Sequence, residues 1–158
     1  MIENYLKILE DSLLKKIDVL NEITTYNKEQ EKLLREEDVS LEELDINMSK
    51  KDELIKKLTE LDDGFETLYE RIREQLLNNK EMYRAQIVRL QDMISQVMEK
   101  SVSIQAQEVR NKKLIEMYFS KEKQQLRQGR QASKAAYDYY KSMNNTAIVP
   151  PQIMDQKK

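Results

Sequence analysis

The sequence predicts an all-α protein, and three observations support that prediction. Only two of its 158 residues are glycine and two are proline, and the prolines are adjacent at Pro150 and Pro151. Apolar residues recur at intervals of three and four, which places them on one face of an α-helix. A β-protein would need many more turn-forming residues. We therefore expect one domain with three long helices in an antiparallel, coiled-coil-like bundle.

The first helix is predicted at about residues 2–36. Its apolar stripe comprises Ile2, Leu6, Leu9, Leu13, Ile17, Leu20, Ile23, Leu33 and Leu34. The second helix is predicted at 41–77, because Ser40 and Glu43 have the spacing of a capping box, in which the serine hydroxyl accepts a backbone N–H at the helix start. The two helices are therefore separated by a short acidic turn.

Gly64 lies in the middle of the second predicted helix. A glycine costs about 1 kcal/mol relative to alanine in a helix interior, but the apolar spacing keeps its phase across Gly64. We therefore expect one continuous helix. The competing interpretation is a break at residues 62–64, with an aspartate capping a new helix. Residues 78–80 are the better turn, because the apolar stripe changes phase there.

The third helix is predicted at 80–128, before Gly129, and it is the most regular of the three. At about 1.5 Å per residue it would be longer than the other two and overhang them. Three polar residues, Ser101, Glu108 and Asn111, occupy positions of its apolar stripe. Residues 129–141 are predicted to be a short helix or linker. Residues 142–158, which contain both prolines, are predicted to be a flexible, mobile tail.

The composition argues against enzymatic and metal-binding functions. The chain has no cysteine and no histidine, so it lacks a thiol nucleophile, an imidazole base and the usual ligands of zinc or haem. We expect the acidic groups, including Asp62, Asp63 and residues 36–38, to be solvated. The prediction is that the protein is not an enzyme and needs no cofactor or metal.

No segment of the sequence has the features of a membrane span or a secretion signal. The longest uncharged stretch, 142–154, is too short to cross a bilayer, and the first residues lack a basic start followed by an apolar run. We expect a cytoplasmic protein without stable membrane insertion.

The far end of the third helix is the candidate partner-binding surface. Where the first two helices end, the apolar residues of the third lack obvious partners within the chain, and an amphipathic helix of another protein is able to cover such a face. Self-dimerisation or a folded-back tail are the alternatives. The candidate residues are Leu114, Ile115, Met117, Tyr118, Phe119 and Leu126.

Charge is distributed unevenly along the chain. Residues 1–79 carry an excess of acidic groups and residues 80–158 an excess of basic groups, although the net charge is only −2. Bundling the two halves would bring opposite charges together. A basic segment at 110–134 would also suit phosphate contacts, but no nucleic-acid-binding motif is present. We expect a solvated helix face and no nucleic-acid partner.

Two stretches of the sequence resemble the FlgN-type flagellar export chaperones. One is residues 54–65, LIKKLTELDDGF, followed by Tyr69. The other is the tail, with YYKSM at 139–143 and PQIMDQKK at 151–158. The length and the three-helix layout are also similar to that family, so the resemblance covers nearly the whole chain.

The resemblance implies a cytoplasmic chaperone of hook-associated proteins, which form the hook–filament junction. Chaperones of this kind bind the helical C-terminal region of the client, prevent premature assembly and deliver the client to the flagellar type III export gate. In the family a C-terminal tyrosine contributes to docking at the gate. Tyr118, Tyr137, Tyr139 and Tyr140 match that description here.

Other functions remain open at this stage. A self-assembling structural coiled-coil protein is the main alternative, and a basic helical nucleic-acid accessory protein is a third. A chaperone of another flagellar axial protein is also compatible with the pattern, because all such clients present amphipathic helices.

Overall fold

The computed structural model describes residues 1–121, which form three helices joined by two short connections. Helix α1 spans Ile2–Arg35, α2 spans Leu41–Asn78 and α3 spans Arg84–Lys121. The described range contains no β-strand, and the predicted all-α class is confirmed. The predicted C-terminal end of the third helix near residue 128, the segment 129–141 and the tail 142–158 lie outside the described residues.

The contacts between helices define an up–down–up topology. Helix α1 runs antiparallel to α2, because Lys16 contacts Asp62 whereas the later Gln30 contacts the earlier Lys51. Helix α3 runs parallel to α1. Arg89 and Arg110 bond Glu10 and Glu31 at the same sequence separation of 79 residues. Helix α1 packs against both of the others.

Polar side chains cap both ends of α2, and the cap at its start is the one that the sequence predicts. The Ser40 hydroxyl accepts a hydrogen bond from the backbone N–H of Glu43 at 3.3 Å. At the other end, Asn79 Nδ2 donates to the Gln75 carbonyl at 2.7 Å. The turn continues through residue 83, so α3 begins at Arg84 and the predicted start at residue 80 is four residues too early.

Helix α2 is continuous through Gly64, as its apolar spacing predicts. The side chains that follow the glycine stay in the core: Phe65 and Tyr69 are 5% and 1% exposed, and their rings stack with centroids 6.3 Å apart. Burial raises the pKa of the Tyr69 hydroxyl. The packing of these rings offsets the modest helix cost of a glycine.

The core is one apolar cluster that runs the length of the bundle and includes residues of all three helices. Leu9 and Ile23 of α1, Leu76 of α2 and Leu90 and Ile104 of α3 are each at most 1% exposed. Burying such a side chain contributes roughly 1.5–3 kcal/mol. The core is therefore built by the residues that the predicted stripes place on the inner faces.

The overhang of α3 is short within the described residues. Paired residues of α1 and α3 are 79 positions apart in sequence. Arg35, the last residue of α1, is therefore level with about residue 114 of α3. Helix α3 continues to Lys121, which is seven residues or about 10 Å farther. Of the predicted partner-binding residues, those from Leu114 to Phe119 lie in this region.

Candidate functional site

A cluster of polar side chains is buried in the core near the C-terminal end of α1. Lys51 of α2 is fully buried, and Glu108 of α3 is 7% exposed. Gln30 and Asn27 of α1 and Asn111 of α3 lie beside them and are each at most 2% exposed. All three helices therefore contribute to one polar layer, which interrupts the otherwise apolar core.

The members of this layer bond to one another across the helix interfaces. Lys51 Nζ is 3.1 Å from Glu108 Oε1 and donates to Gln30 Oε1 at 2.8 Å. Asn111 Nδ2 donates to Gln30 Oε1 at 3.0 Å and to the backbone carbonyl of Asn27 at 2.9 Å. Because each bond joins different helices, the layer ties the three helices together at one level.

Burial shifts the pKa of both charged groups in the polar layer toward neutrality. Loss of hydration lowers the pKa of Lys51 to about 8, although the neighbouring Glu108 carboxylate opposes this shift. Loss of hydration likewise raises the pKa of Glu108 to about 7, against the opposing effect of Lys51. In both cases desolvation outweighs the attraction between the charges.

The polar layer is suited to fixing the register of the helices. Its hydrogen-bonding groups face one another, and a one-residue slip of any helix would break several of these bonds. Buried polar groups are known to specify register in helical assemblies. Within residues 1–121 there is also no group of acidic side chains arranged to hold a metal ion.

A second buried ion pair joins α1 to α2 closer to the middle of the bundle. Lys16 Nζ contacts the Asp62 carboxylate, and the two side chains are 5% and 16% exposed. The prediction that Asp62 is solvated is therefore wrong. The neighbouring Asp63 is exposed, as predicted. Asp62 turns inward because it follows the buried Ile55 and Leu58 at helical spacing, and its charge is matched by Lys16.

The predicted partner-binding residues of α3 differ in their exposure. Ile115 is 3% exposed and belongs to the core, so the expectation that it lacks partners within the chain is wrong. Leu114 and Phe119 are partly buried against the core. Tyr118 is also partly exposed, and its ring lies 6.3 Å from that of Phe119. Met117 is 66% exposed.

The core extends along α3 at least to Ile115. Leu44 of α2 is buried in the same apolar cluster, and Val39 of the α1–α2 connection packs against that cluster. Of the predicted set, the surface available near the end of α3 is thus Met117 together with parts of Leu114, Tyr118 and Phe119. Leu126, Tyr137, Tyr139 and Tyr140 lie outside the described residues.

The structure reveals an exposed apolar surface on α3 that the sequence analysis did not identify. We call it the outer stripe and define it as Val88, Met98, Val102 and Val109, which are 56%, 38%, 65% and 56% exposed. Three of the four are separated by multiples of seven residues. That spacing was the available signal, but it was masked by the stronger core stripe on the opposite side of the same helix.

A groove of about 400 Å³ lies between α1 and α2 at the level of Gly64. Its apolar lining includes Ile8, Leu61 and Leu68, and the rim carries charges of both signs. A Cβ atom added at Gly64 would meet no atom within 4 Å. The packing of the described residues therefore does not require glycine at this position.

No family model, curated protein or solved structure matches this chain. No helix within residues 1–121 is long and apolar enough to cross a membrane. The segment 54–65, one of the two stretches that resemble the FlgN-type chaperones, lies within α2, and its apolar residues Ile55, Leu58 and Phe65 are buried. This part of the resemblance therefore reflects core positions of the bundle.

Proposed function

We propose that this protein is a cytoplasmic export chaperone of the FlgN type. It binds the C-terminal amphipathic helices of hook-associated junction proteins, prevents their premature assembly and delivers them to the flagellar type III export gate. The observation that carries the proposal is the partly exposed apolar and aromatic surface at the end of α3, beyond the last residue of α1. The three-helix architecture and the sequence resemblance support it.

The surface near the end of α3 has the composition of a helix-binding site. Met117 is exposed, and Tyr118 and Phe119 place two rings side by side. Aromatic residues contribute a large share of the binding energy at protein interfaces, and methionine adapts to partners of different shape. A client helix lying here would cover these side chains and extend the bundle by one helix.

The charges around this surface favour a client with both acidic and basic groups. Arg110, Lys112 and Lys113 of α3 are exposed on the same helix, whereas residues 36–38 in the α1–α2 connection are three exposed carboxylates. A client helix that lies between them would be fixed in its rotation about its own axis if its acidic side faced α3 and its basic side faced the connection. Exposed pairs of this kind contribute little energy each, so their role is orientation.

Isothermal titration calorimetry with the C-terminal helical region of a hook-associated junction protein tests the binding site. Replacing both rings, Tyr118→Ala with Phe119→Ala, is expected to weaken client binding at least tenfold while far-UV helicity is retained. The matched control replaces two exposed apolar residues near the start of α1, Ile8→Ala with Leu14→Ala, and should bind normally. Unchanged affinity of the ring variant would reject this site.

A self-assembling structural protein is the main alternative, and the outer stripe on α3 is the observation in its favour. Light scattering separates the two functions. The chaperone is expected to be a monomer or small oligomer that forms a defined complex with its client. A structural coiled-coil protein would form large assemblies without any client.

A further inference from the structure

The outer stripe of α3 is an apolar surface on the side of the helix that faces away from the bundle. Ten large apolar side chains are exposed within residues 1–121, and five of them, the outer stripe and Met117, lie on α3. At 100° per residue, the four residues of the outer stripe fall within a sector of about 80°. Glu108, which reaches the core, lies well outside this sector.

The outer stripe carries no charge along most of its length. The other positions in the same sector between Val88 and Val109 are occupied by glutamine, serine and alanine. The uncharged surface is therefore about 30 Å long. Exposed valines lower helix propensity slightly, and nothing in the bundle requires them on this side. Burial against another molecule would give them a role.

Charged residues of opposite sign lie toward the two ends of the outer stripe. Asp92 lies beside its first half and Arg110 beside its second half, on the same side of the helix, and Glu99 lies at its middle. Arg84 and Glu116 lie in the sector of the stripe itself, just before and just after it, by the helical repeat of 100° per residue. Two antiparallel copies of α3 would place Asp92 of each near Arg110 of the other, and Arg84 near Glu116. Parallel copies would place each Arg84 and each Glu116 against its own copy.

We propose that a second copy of this chain packs antiparallel on the outer stripe, forming a dimer with its two-fold axis between Met98 and Val102. This arrangement buries the valines of both copies and brings Asp92 near Arg110 and Arg84 near Glu116. The proposal does not depend on the export function, since it rests only on the exposure and the charges of the outer stripe.

The size of the contact predicts a weak, concentration-dependent dimer. The stripe is about 30 Å long, and a helix with its side chains is about 10 Å wide. This face is smaller than the roughly 800 Å² that each partner contributes to a standard stable interface. We therefore expect dissociation in the micromolar range.

Sedimentation equilibrium on the full chain across micromolar concentrations tests the dimer. The wild-type protein is expected to shift from monomer to dimer, and Val102→Glu with Val109→Glu should raise the dissociation constant at least tenfold. The control variant, Ile8→Glu with Ile46→Glu, changes two isoleucines elsewhere on the surface that are each 52% exposed, and it should dimerise normally. A wild-type protein that stays monomeric, or a control that loses the dimer equally, would overturn the proposal.

Single cysteines test the orientation, because the natural chain has none. Near the two-fold axis a residue faces its own copy, so Val102→Cys is expected to form a disulfide-linked dimer under mild oxidation. In the antiparallel dimer the two copies of residue 109 would be more than about 20 Å apart, and Val109→Cys should not cross-link. Equal cross-linking at both positions would indicate a parallel pair and contradict the proposal.

Discussion

Lys51 and Glu108 form an ion pair across the core, with the lysine Nζ 3.1 Å from the carboxylate Oε1 and both side chains buried. The pair joins α2 to α3, which otherwise make fewer contacts with each other than either makes with α1. Gln30 of α1 accepts a hydrogen bond from the same lysine. These two contacts of Lys51 therefore link all three helices at one level.

The polar layer predicts an unusual dependence of stability on pH. Because burial raises the pKa of Glu108 to about 7, the folded protein holds this proton more tightly than the unfolded chain, and stability should fall between about pH 4.5 and 7. Because burial lowers the pKa of Lys51 to about 8, stability should rise again between about pH 8 and 10.5. The contribution of the pair is least favourable at pH 7–8.

Urea unfolding at a series of pH values measures this dependence. The reference is the double variant Lys51→Met with Glu108→Leu, which removes both charges and keeps similar volumes. Relative to this variant, the free energy of unfolding of the wild-type protein should be lowest at pH 7–8. A difference that does not change with pH would show that these groups titrate alike in the folded and unfolded states.

Two adjacent aspartates in α2 are expected to differ sharply in their contribution to stability. Asp62→Asn leaves the buried Lys16 without its carboxylate and should cost about 2 kcal/mol, less than the roughly 3–5 kcal/mol of a fully buried pair. Asp63→Asn changes an exposed side chain and should cost less than about 0.5 kcal/mol. Equal losses in chemical denaturation would contradict the assignment of the ion pair to Asp62.

Gly64 is a position where substitution should stabilise the protein. Alanine has the higher helix propensity, and its added Cβ would meet no atom within 4 Å. Gly64→Ala is therefore expected to raise the free energy of unfolding by about 0.5–1 kcal/mol. The midpoint of urea unfolding measures the change, and a decrease would mean that α2 is not a regular helix there.

Deletion of residues 142–158, which keeps Tyr137, Tyr139 and Tyr140, tests whether the tail itself contributes to delivery of the client. We expect the shortened protein to bind its client with normal affinity but to support less secretion of that client. Export assays in cells that carry the shortened protein, together with calorimetry, separate these effects. Export at the normal rate would exclude a docking role for the tail.

The helices were predictable from the sequence because local spacing determines them. The apolar stripe correctly predicted that α2 continues through Gly64, since the packing of Phe65 and Tyr69 outweighs the cost of one glycine. The Ser40 cap was predictable for the same reason. The start of α3 was harder to predict, because the turn after Asn79 depends on side-chain hydrogen bonds. One example is the bond that Asn79 Nδ2 donates to the backbone carbonyl of Gln75.

Contacts between distant residues were harder to predict. Periodicity placed Glu108 on the inner face of α3, but only the folded bundle shows that it meets Lys51. Asp62 was interpreted as solvated because its partner Lys16 is 46 residues away in sequence. Ile115 was expected to be uncovered because the first two helices were predicted to end before it, but the folded bundle leaves it only 3% exposed.

Hydrogen–deuterium exchange on the purified chain, alone and with a hook-associated junction protein, tests the central proposal most directly. If the end of α3 receives a client helix, the client should slow exchange at residues 114–121, whereas residues near the start of α1 should exchange as in the free protein. No complex, or a complex that leaves residues 114–121 unprotected, would contradict the proposed function of this surface.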